Sequence, residues 1–470
     1  MVLESLSIGV IGPLLRSGEI SPTEVAEEVL SRADAYDDPA VWITRLSRDE
    51  VMRYVAEAEQ RRRHGEALPL YGVPFAIKDN IDLSGTPTTC ACPMYRYVPR
   101  CTSTVVDRLV RAGAVPIGKT NMDQFATGLV GTRSPYGACR NVYDPRYISG
   151  GSSSGSAVAV AGGIVSFSLG TDTAGSGRVP AALNNIVGLK PTRGVISTAG
   201  VVPACRTLDC VSVFALDCAD AATVLDFVEG FDPADTYARP ADDPARRRRP
   251  VIEGPFHFGV PAPDQLEFFG NSEGKRLFAD AVARLIRLGG QPIEIDYSPF
   301  NQAAKLLYDG PWVAERVAAI RPFFEANPDA LLPVTRRVFD TAKNWDAVRT
   351  FESLYRLQSL RAAASAQFRT IDVLLLPTAV PLCTLEQVEA DPLLTNTRLG
   401  TYTNFVNLLD LAAVAVPAGF HSIGIPFGVS LIAPAGSDRT LLHLAARFHQ
   451  LVRETAPSAP PPLPAHLAGK

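Results

Sequence analysis

The sequence predicts an α/β fold in which a central sheet is covered by helices on both faces. Between Tyr71 and about Leu216, short β-prone runs (73–77, 114–117, 165–169) alternate with helical stretches such as 103–113. That alternation marks a sheet packed between helices. The same stretch holds most of the Gly-, Ser- and Thr-rich loops. Loops held by a rigid sheet are where chemistry is usually placed.

The flanking segments fit this plan. Ser21-Pro22-Thr23-Glu24 is a capping box with Pro at the first helical position, followed by Val25, Val29 and Ala33 at helical spacing. Ser47 to Glu50 repeats the signal, opening a helix whose basic end, Arg61-Arg62-Arg63-His64-Gly65, suits a C-terminus. The first 65 residues therefore read as helices. Residues 231–254, rich in Asp, Pro, Ala and Arg, read as a solvated excursion. Strands are expected at 256–260, 292–295, 373–376 and 427–432, with helices at 272–289 and 440–452. A long helical region over 300–368 is broken at Gly310-Pro311, because Pro lacks the N–H that a helix interior needs. Residues 457–464 are proline-dense and read as an extended tail.

Composition removes several function classes. The chain has 470 residues and a net charge of −4, from 45 Lys plus Arg against 49 Asp plus Glu. A mildly acidic protein has no cationic footprint for nucleic acid. No apolar run reaches the length of a bilayer span, and the apolar stretches near 157–169 and 411–420 read as buried core. Glu4 precedes any Lys or Arg, so the basic start of a secretory signal is missing and a cytoplasmic location is expected. The eight cysteines and six histidines follow no metal spacing. Neither a metal nor an organic cofactor is expected.

Two loops stand out: Gly150-Gly151-Ser152-Ser153-Ser154-Gly155-Ser156, and Gly170-Thr171-Asp172-Thr173-Ala174-Gly175-Ser176-Gly177-Arg178. Neither is a phosphate loop, since no Lys follows Gly155, and neither holds G-x-G-x-x-G. Gly151-x-Ser153-x-Gly155 matches the hydrolase elbow by letter, but a turn precedes it where the elbow needs a strand. What remains is a hydroxyl activated by a base other than His. A lysine can serve if held neutral, which costs about 4–5 kcal/mol relative to its ordinary pKa of about 10.4 and can be supplied by burial beside neutral hydroxyls. Lys78 is the best candidate, because it follows the apolar run Val73-Pro74-Phe75-Ala76-Ile77. The competing reading pairs it with Asp79 on a surface loop.

Phe75-Ala76-Ile77-Lys78-Asp79-Asn80, Gly118-Lys119-Thr120-Asn121-Met122-Asp123-Gln124-Phe125 and the two loops, in this order, resemble the amidase signature family. Ser152 follows Lys78 by 74 residues and Ser176 follows Ser152 by 24, as that family requires. The resemblance implies a large mixed, mostly parallel central sheet covered by helices on both faces. It also implies a Ser–Ser–Lys triad: Ser176 as nucleophile, Ser152 (on a cis peptide) as proton bridge, Lys78 as general base. The N–H groups of Thr173, Ala174 and Gly175 would form the oxyanion hole. The chain departs from the commonest form of the signature at Ser154, Ala174 and Gly177.

Within the family, the segments 171–192, Gln124 to Arg133 and Val202-Pro203-Ala204-Cys205-Arg206 are similar to the allophanate hydrolases. So is Leu307-Tyr308-Asp309-Gly310-Pro311-Trp312-Val313-Ala314-Glu315-Arg316, far outside the shared core. This likeness implies a small anionic amide as substrate. Arg316 would hold its carboxylate, Tyr308 would add a hydrogen bond and a wall, and backbone groups near Gly128 would touch it. Periodicity alone reads Tyr308 and Trp312 as core aromatics and pairs Arg316 with Glu315 or a neighbour. Residues 1–455 are expected to form one amidase domain: N-terminal helices 1–65, catalytic core 66–220 and a substrate-side helical region 298–370. The tail 456–470 would stand where such relatives continue into a smaller domain, which is expected to be absent. A homodimer is expected. Two other readings stay open: the glutaminase component of a tRNA-dependent amidotransferase, and a catalytically silent scaffold of the same fold.

Overall fold

A computed structural model of the chain describes residues 3–246 and 249–455. The proline-dense tail lies outside the described residues. Eleven strands form one sheet: β1 (Trp42–Arg45), β2 (Pro74–Lys78), β3 (Val115–Thr120), β4 (Phe167–Asp172), β5 (Val187–Lys190), β6 (Cys210–Ala215), β7 (Phe256–Pro261), β8 (Gly290–Ile295), β9 (Val373–Pro377), β10 (Leu411–Phe420) and β11 (Pro426–Pro434). Their spatial order is β1-β3-β2-β4-β6-β5-β10-β11-β9-β7-β8. Every residue of β2, β3, β4, β5, β6 and β9 is buried. Successive side chains of a strand point to opposite faces, so both faces of the sheet's middle are covered.

The sheet is large and mixed, as expected, but parallel pairing does not dominate it. The β3-β2-β4 and β9-β7-β8 blocks are parallel, while the other six of the ten ladders are antiparallel. The reason is local. Parallel neighbours need a long crossover, which the helices Thr104–Arg111 and Ser154–Ala161 supply between β2, β3 and β4. The centre is built differently, because β10 and β11 are joined by a tight turn at 421–425 and must run antiparallel. β10 is the apolar stretch near 411–420 that reads as core in the sequence. It is a strand buried on both faces.

Both expected capping boxes form, with Ser21 and Ser47 accepting from Glu24 N and Glu50 N. The Gly310-Pro311 break separates helix Ser298–Leu306 from helix Trp312–Ala326. The excursion is tied down at its described residues. Arg246 Nη2 donates to Gly194 O at 3.0 Å, and Arg239 pairs with Asp410.

The connection from β4 to helix Val179–Leu183 is closed by a buried ion pair. Asp172, the last residue of β4, accepts from Arg178 Nε at 2.9 Å and from Arg178 Nη2 at 3.0 Å. It also accepts from Gly177 N at 3.0 Å. Both side chains are wholly excluded from solvent. Breaking one partner of such a pair leaves an uncompensated buried charge. Asp172→Asn is expected to lower unfolding free energy by about 3–5 kcal/mol in urea titration. An unchanged midpoint would show that the pair does not hold the loop.

Candidate active site

Lys78 is the final residue of β2 and is fully buried. Its Nζ donates to Ser152 Oγ and to Thr171 Oγ1, both at 2.8 Å. Both partners are neutral hydroxyls, so nothing in direct contact compensates a positive charge. Burial pushes the amine down to about 7, against the upward pull of Asp123, Asp172 and Asp209. The alternative pairing with Asp79 does not form. Asp79 lies 3.6 Å from Lys119 Nζ and accepts from Thr89 N and Thr89 Oγ1.

Ser152 follows a cis peptide bond from Gly151. Two hydrogen bonds seat it against the 123–131 loop: Asp123 N to Ser152 O at 3.0 Å, and Gly151 N to Leu129 O at 2.9 Å. The approach is too close for any side chain at 151, where a Cβ would collide with Asp123 Oδ2 and the Gly131 backbone. Ser153, the centre of the elbow-like pattern, instead donates to Thr171 O at 3.2 Å.

Ser176 lies in the loop that the Asp172–Arg178 pair closes. Its hydroxyl donates to Gly128 O at 3.5 Å. Lys78–Ser152 is thus a made hydrogen bond, whereas Ser152–Ser176 is not one among the described residues. The N–H groups of Thr173, Ala174 and Gly175 donate to no backbone acceptor among the described residues. Thr173 Oγ1 donates to Asp209, whose carboxyl is pushed up to about 6 by burial. The loop is braced from a distant part of the chain. Asn407 Nδ2 donates to Asp172 O at 2.7 Å, and the Thr403 side chain occupies the place where a Cβ on Gly175 would stand.

Arg316 is buried, 1% exposed, on helix Trp312–Ala326. Its Nη1 donates to Ala126 O and to Thr127 Oγ1, both at 3.3 Å. Its Nε and Nη2, and the Tyr308 hydroxyl, are buried without a hydrogen-bond partner among the described residues. The guanidinium sits 5.4 Å from the centre of the Tyr308 ring. Glu315 does not pair with it, because that carboxylate accepts from Thr207 N and Thr207 Oγ1, both at 2.8 Å. Buried donors without acceptors are costly. Two of them fall on the single Arg316 guanidinium. Thr127 joins Arg316 to Gly128, the residue that meets Ser176.

Sequence reading missed Thr171, Asp123, Asp209 and the braces Thr403 and Asn407. Thr171 and Asp123 lie inside the quoted motifs, and a polar side chain at those positions was the available signal. Thr403 and Asn407 carry no local signal. Among the described residues no group of His, Cys, Asp and Glu is placed to hold a metal, and no helix is long and apolar enough to cross a membrane.

The amidase family model matches residues 24–442. Urea amidolyase from Lachancea kluyveri is 46% identical over 424 residues, covering 90% of this chain and 23% of that protein. The chain therefore spans less than a quarter of the length of that relative. A glutamyl-tRNA(Gln) amidotransferase subunit from Symbiobacterium thermophilum is 36% identical over 484 aligned positions, covering 95% of this chain and 97% of that protein. Among solved structures, Kluyveromyces lactis allophanate hydrolase superposes with a TM-score of 0.88 at 45% identity, covering 93% of this chain and 72% of that one. With the lysine, the two serine loops and the mixed sheet in place, the chain belongs to the amidase family.

Proposed function

We propose that this chain hydrolyses small linear amides bearing a carboxylate, allophanate foremost, and releases ammonia. The observation that carries the substrate class is the buried Arg316 with two unused donors beside the unused Tyr308 hydroxyl. Thr127, whose Oγ1 Arg316 holds, is followed directly by Gly128, whose carbonyl Ser176 touches. The likeness to an allophanate hydrolase structure supports the same reading.

In this mechanism neutral Lys78 takes the proton of Ser152 as Ser152 takes that of Ser176. The Ser176 oxygen attacks the amide carbonyl next to the –NH2 group. The N–H groups of Thr173, Ala174 and Gly175 hold the resulting oxyanion, a contribution of about 100–1,000-fold in rate for donors of this kind. The proton returns through Ser152 to the departing nitrogen, ammonia leaves, and water cleaves the acyl-serine by the same relay. Arg316 and Tyr308 fix the far carboxylate, and backbone at Gly128 lines the space between. The full-length match to an amidotransferase component favours a second reading, in which glutamine is the amide hydrolysed. Ammonia release from glutamine exceeding that from allophanate would select it. The first reading extends to a cytoplasmic homodimer. Light scattering is expected to give twice the chain mass, and the monomer mass would remove that part.

Biuret is allophanate with the carboxylate replaced by a carboxamide, so the pair isolates the charge. Arg316→Met is expected to lower the allophanate-to-biuret ratio of kcat/KM by about 100-fold. Ser176→Ala is expected to lower ammonia release from both by about 1,000-fold or more. Equal losses on both amides in Arg316→Met would remove the carboxylate clamp, and turnover by Ser176→Ala would remove the nucleophile.

The pH profile follows from the base. Lys78 accepts a proton only when neutral, and burial brings its pKa down to about 7. Below that value the charged form dominates, so kcat/KM is expected to rise about tenfold per pH unit up to about pH 7 and then level. A flat profile across that range would exclude Lys78 as the base.

A further inference from the structure

Three successive carbonyls, at Ala126, Thr127 and Gly128, are each held by a different side chain. Arg316 Nη1 donates to Ala126 O at 3.3 Å, Arg133 Nη1 to Thr127 O at 2.8 Å, and Ser176 Oγ to Gly128 O at 3.5 Å. The middle holder has no place yet in the proposed reaction. Arg133 is 2% exposed. Its other side-chain bond runs from Nη2 to Pro392 O at 2.8 Å, and its Nε has no partner among the described residues. Its stem lies over Gly128, where a Cβ would stand 3.1 Å from Arg133 Cδ.

Two buried guanidiniums thus share Thr127. Neither has a carboxylate within 4.0 Å among the described residues, and their side-chain partners are neutral carbonyls and a hydroxyl. Asp123 accepts from the Arg133 backbone N–H at 2.8 Å, not from its guanidinium. Burial lowers the Arg133 pKa, the charge of Asp123 opposes that fall, and the like charge of Arg316 adds to it. A buried cation with no carboxylate in direct contact is stabilised by an anion that enters beside it.

We propose that Arg133 is a second specificity-determining residue of the anion pocket. It holds the Thr127 carbonyl, and its charge adds to that of Arg316 in favouring a carboxylate-bearing amide over a neutral one. The inference rests on the reading that Arg316 receives the carboxylate. It assigns two tasks to one side chain, positioning through a hydrogen bond and selection through charge, and the two are separable. Gln keeps a donor for Thr127 O and loses the charge. Lys keeps the charge and cannot reach Thr127 O and Pro392 O together.

The experiment measures kcat and KM for allophanate and biuret in the full chain with Arg133→Gln, Arg133→Lys and Arg316→Met. Arg133→Gln is expected to lower the allophanate-to-biuret ratio of kcat/KM about tenfold, chiefly through the KM for allophanate. An unchanged ratio in that variant overturns the proposal. If Arg133→Gln does not fold, Arg133→Lys decides. It is expected to keep the ratio within about threefold while kcat falls for both amides together. Loss of the ratio in the Lys variant, or wholly unchanged kinetics, overturns the proposal. Arg316→Met keeps the two failures apart. A ratio untouched by Arg316→Met removes the anion pocket itself, whereas one that collapses there but survives Arg133→Gln removes only the role of Arg133.

Discussion

The site depends on an amine sealed away from water with only hydroxyls to bond. Lys78 Nζ reaches Ser152 and Thr171 and no carboxylate. Its neighbour on β3, Lys119, shows the contrast. That lysine is equally buried but lies 3.6 Å from Asp79 and bonds Thr88 Oγ1 at 2.9 Å. The two strands run parallel and side by side. Burial lowers both amines, and the adjacent Asp79 opposes that fall at Lys119, whereas Lys78 has no carboxylate in contact among the described residues. The missing contact is what suits Lys78 to the role of base proposed above.

Keeping that amine useful requires two loops to be fixed against it. The Ser152 loop is seated on residues 123–131 by backbone bonds, and the Ser176 loop is closed across its base by Asp172 and Arg178. Asp123 adds a second tie, accepting from Gly131 N and Arg133 N. Around these ties some buried side-chain atoms have no partner among the described residues, including Arg133 Nε, Arg178 Nη1 and Thr403 Oγ1. Arg316, with Nε and Nη2 both unused, stands among them with the Tyr308 hydroxyl, and the carboxylate proposed above would satisfy this group.

How much of this could be read from the sequence follows from the range of each interaction. Capping at Ser21 and Ser47 and the break at Gly310-Pro311 are set within a few residues, and they fall where expected. The apolar run-up to Lys78 gave its burial for the same reason. Strand direction was less legible. A short antiparallel strand such as β5 or β6 lacks the helical crossover that announces a parallel pair, so the centre of the sheet was read as more parallel than it is. The alternative partners for Lys78 and Arg316 were adjacent acids. Both acids turn away to backbone and hydroxyl donors that only folding brings near, Asp79 to Thr89 and Glu315 to Thr207. Thr403 and Asn407 could not be found at all, because nothing near them in the chain refers to the loop they support.

Those two residues have a consequence for timing. Asn407 grips the end of β4 across a separation of 235 positions, and Thr403 fills the hollow above Gly175. A growing polypeptide that has emerged only as far as its two serine loops holds Lys78, Ser152 and Ser176 but not their buttress. The Ser176 loop therefore gains its full support only when residues 403–407 have docked on it, so the activity proposed above would be a late product of folding.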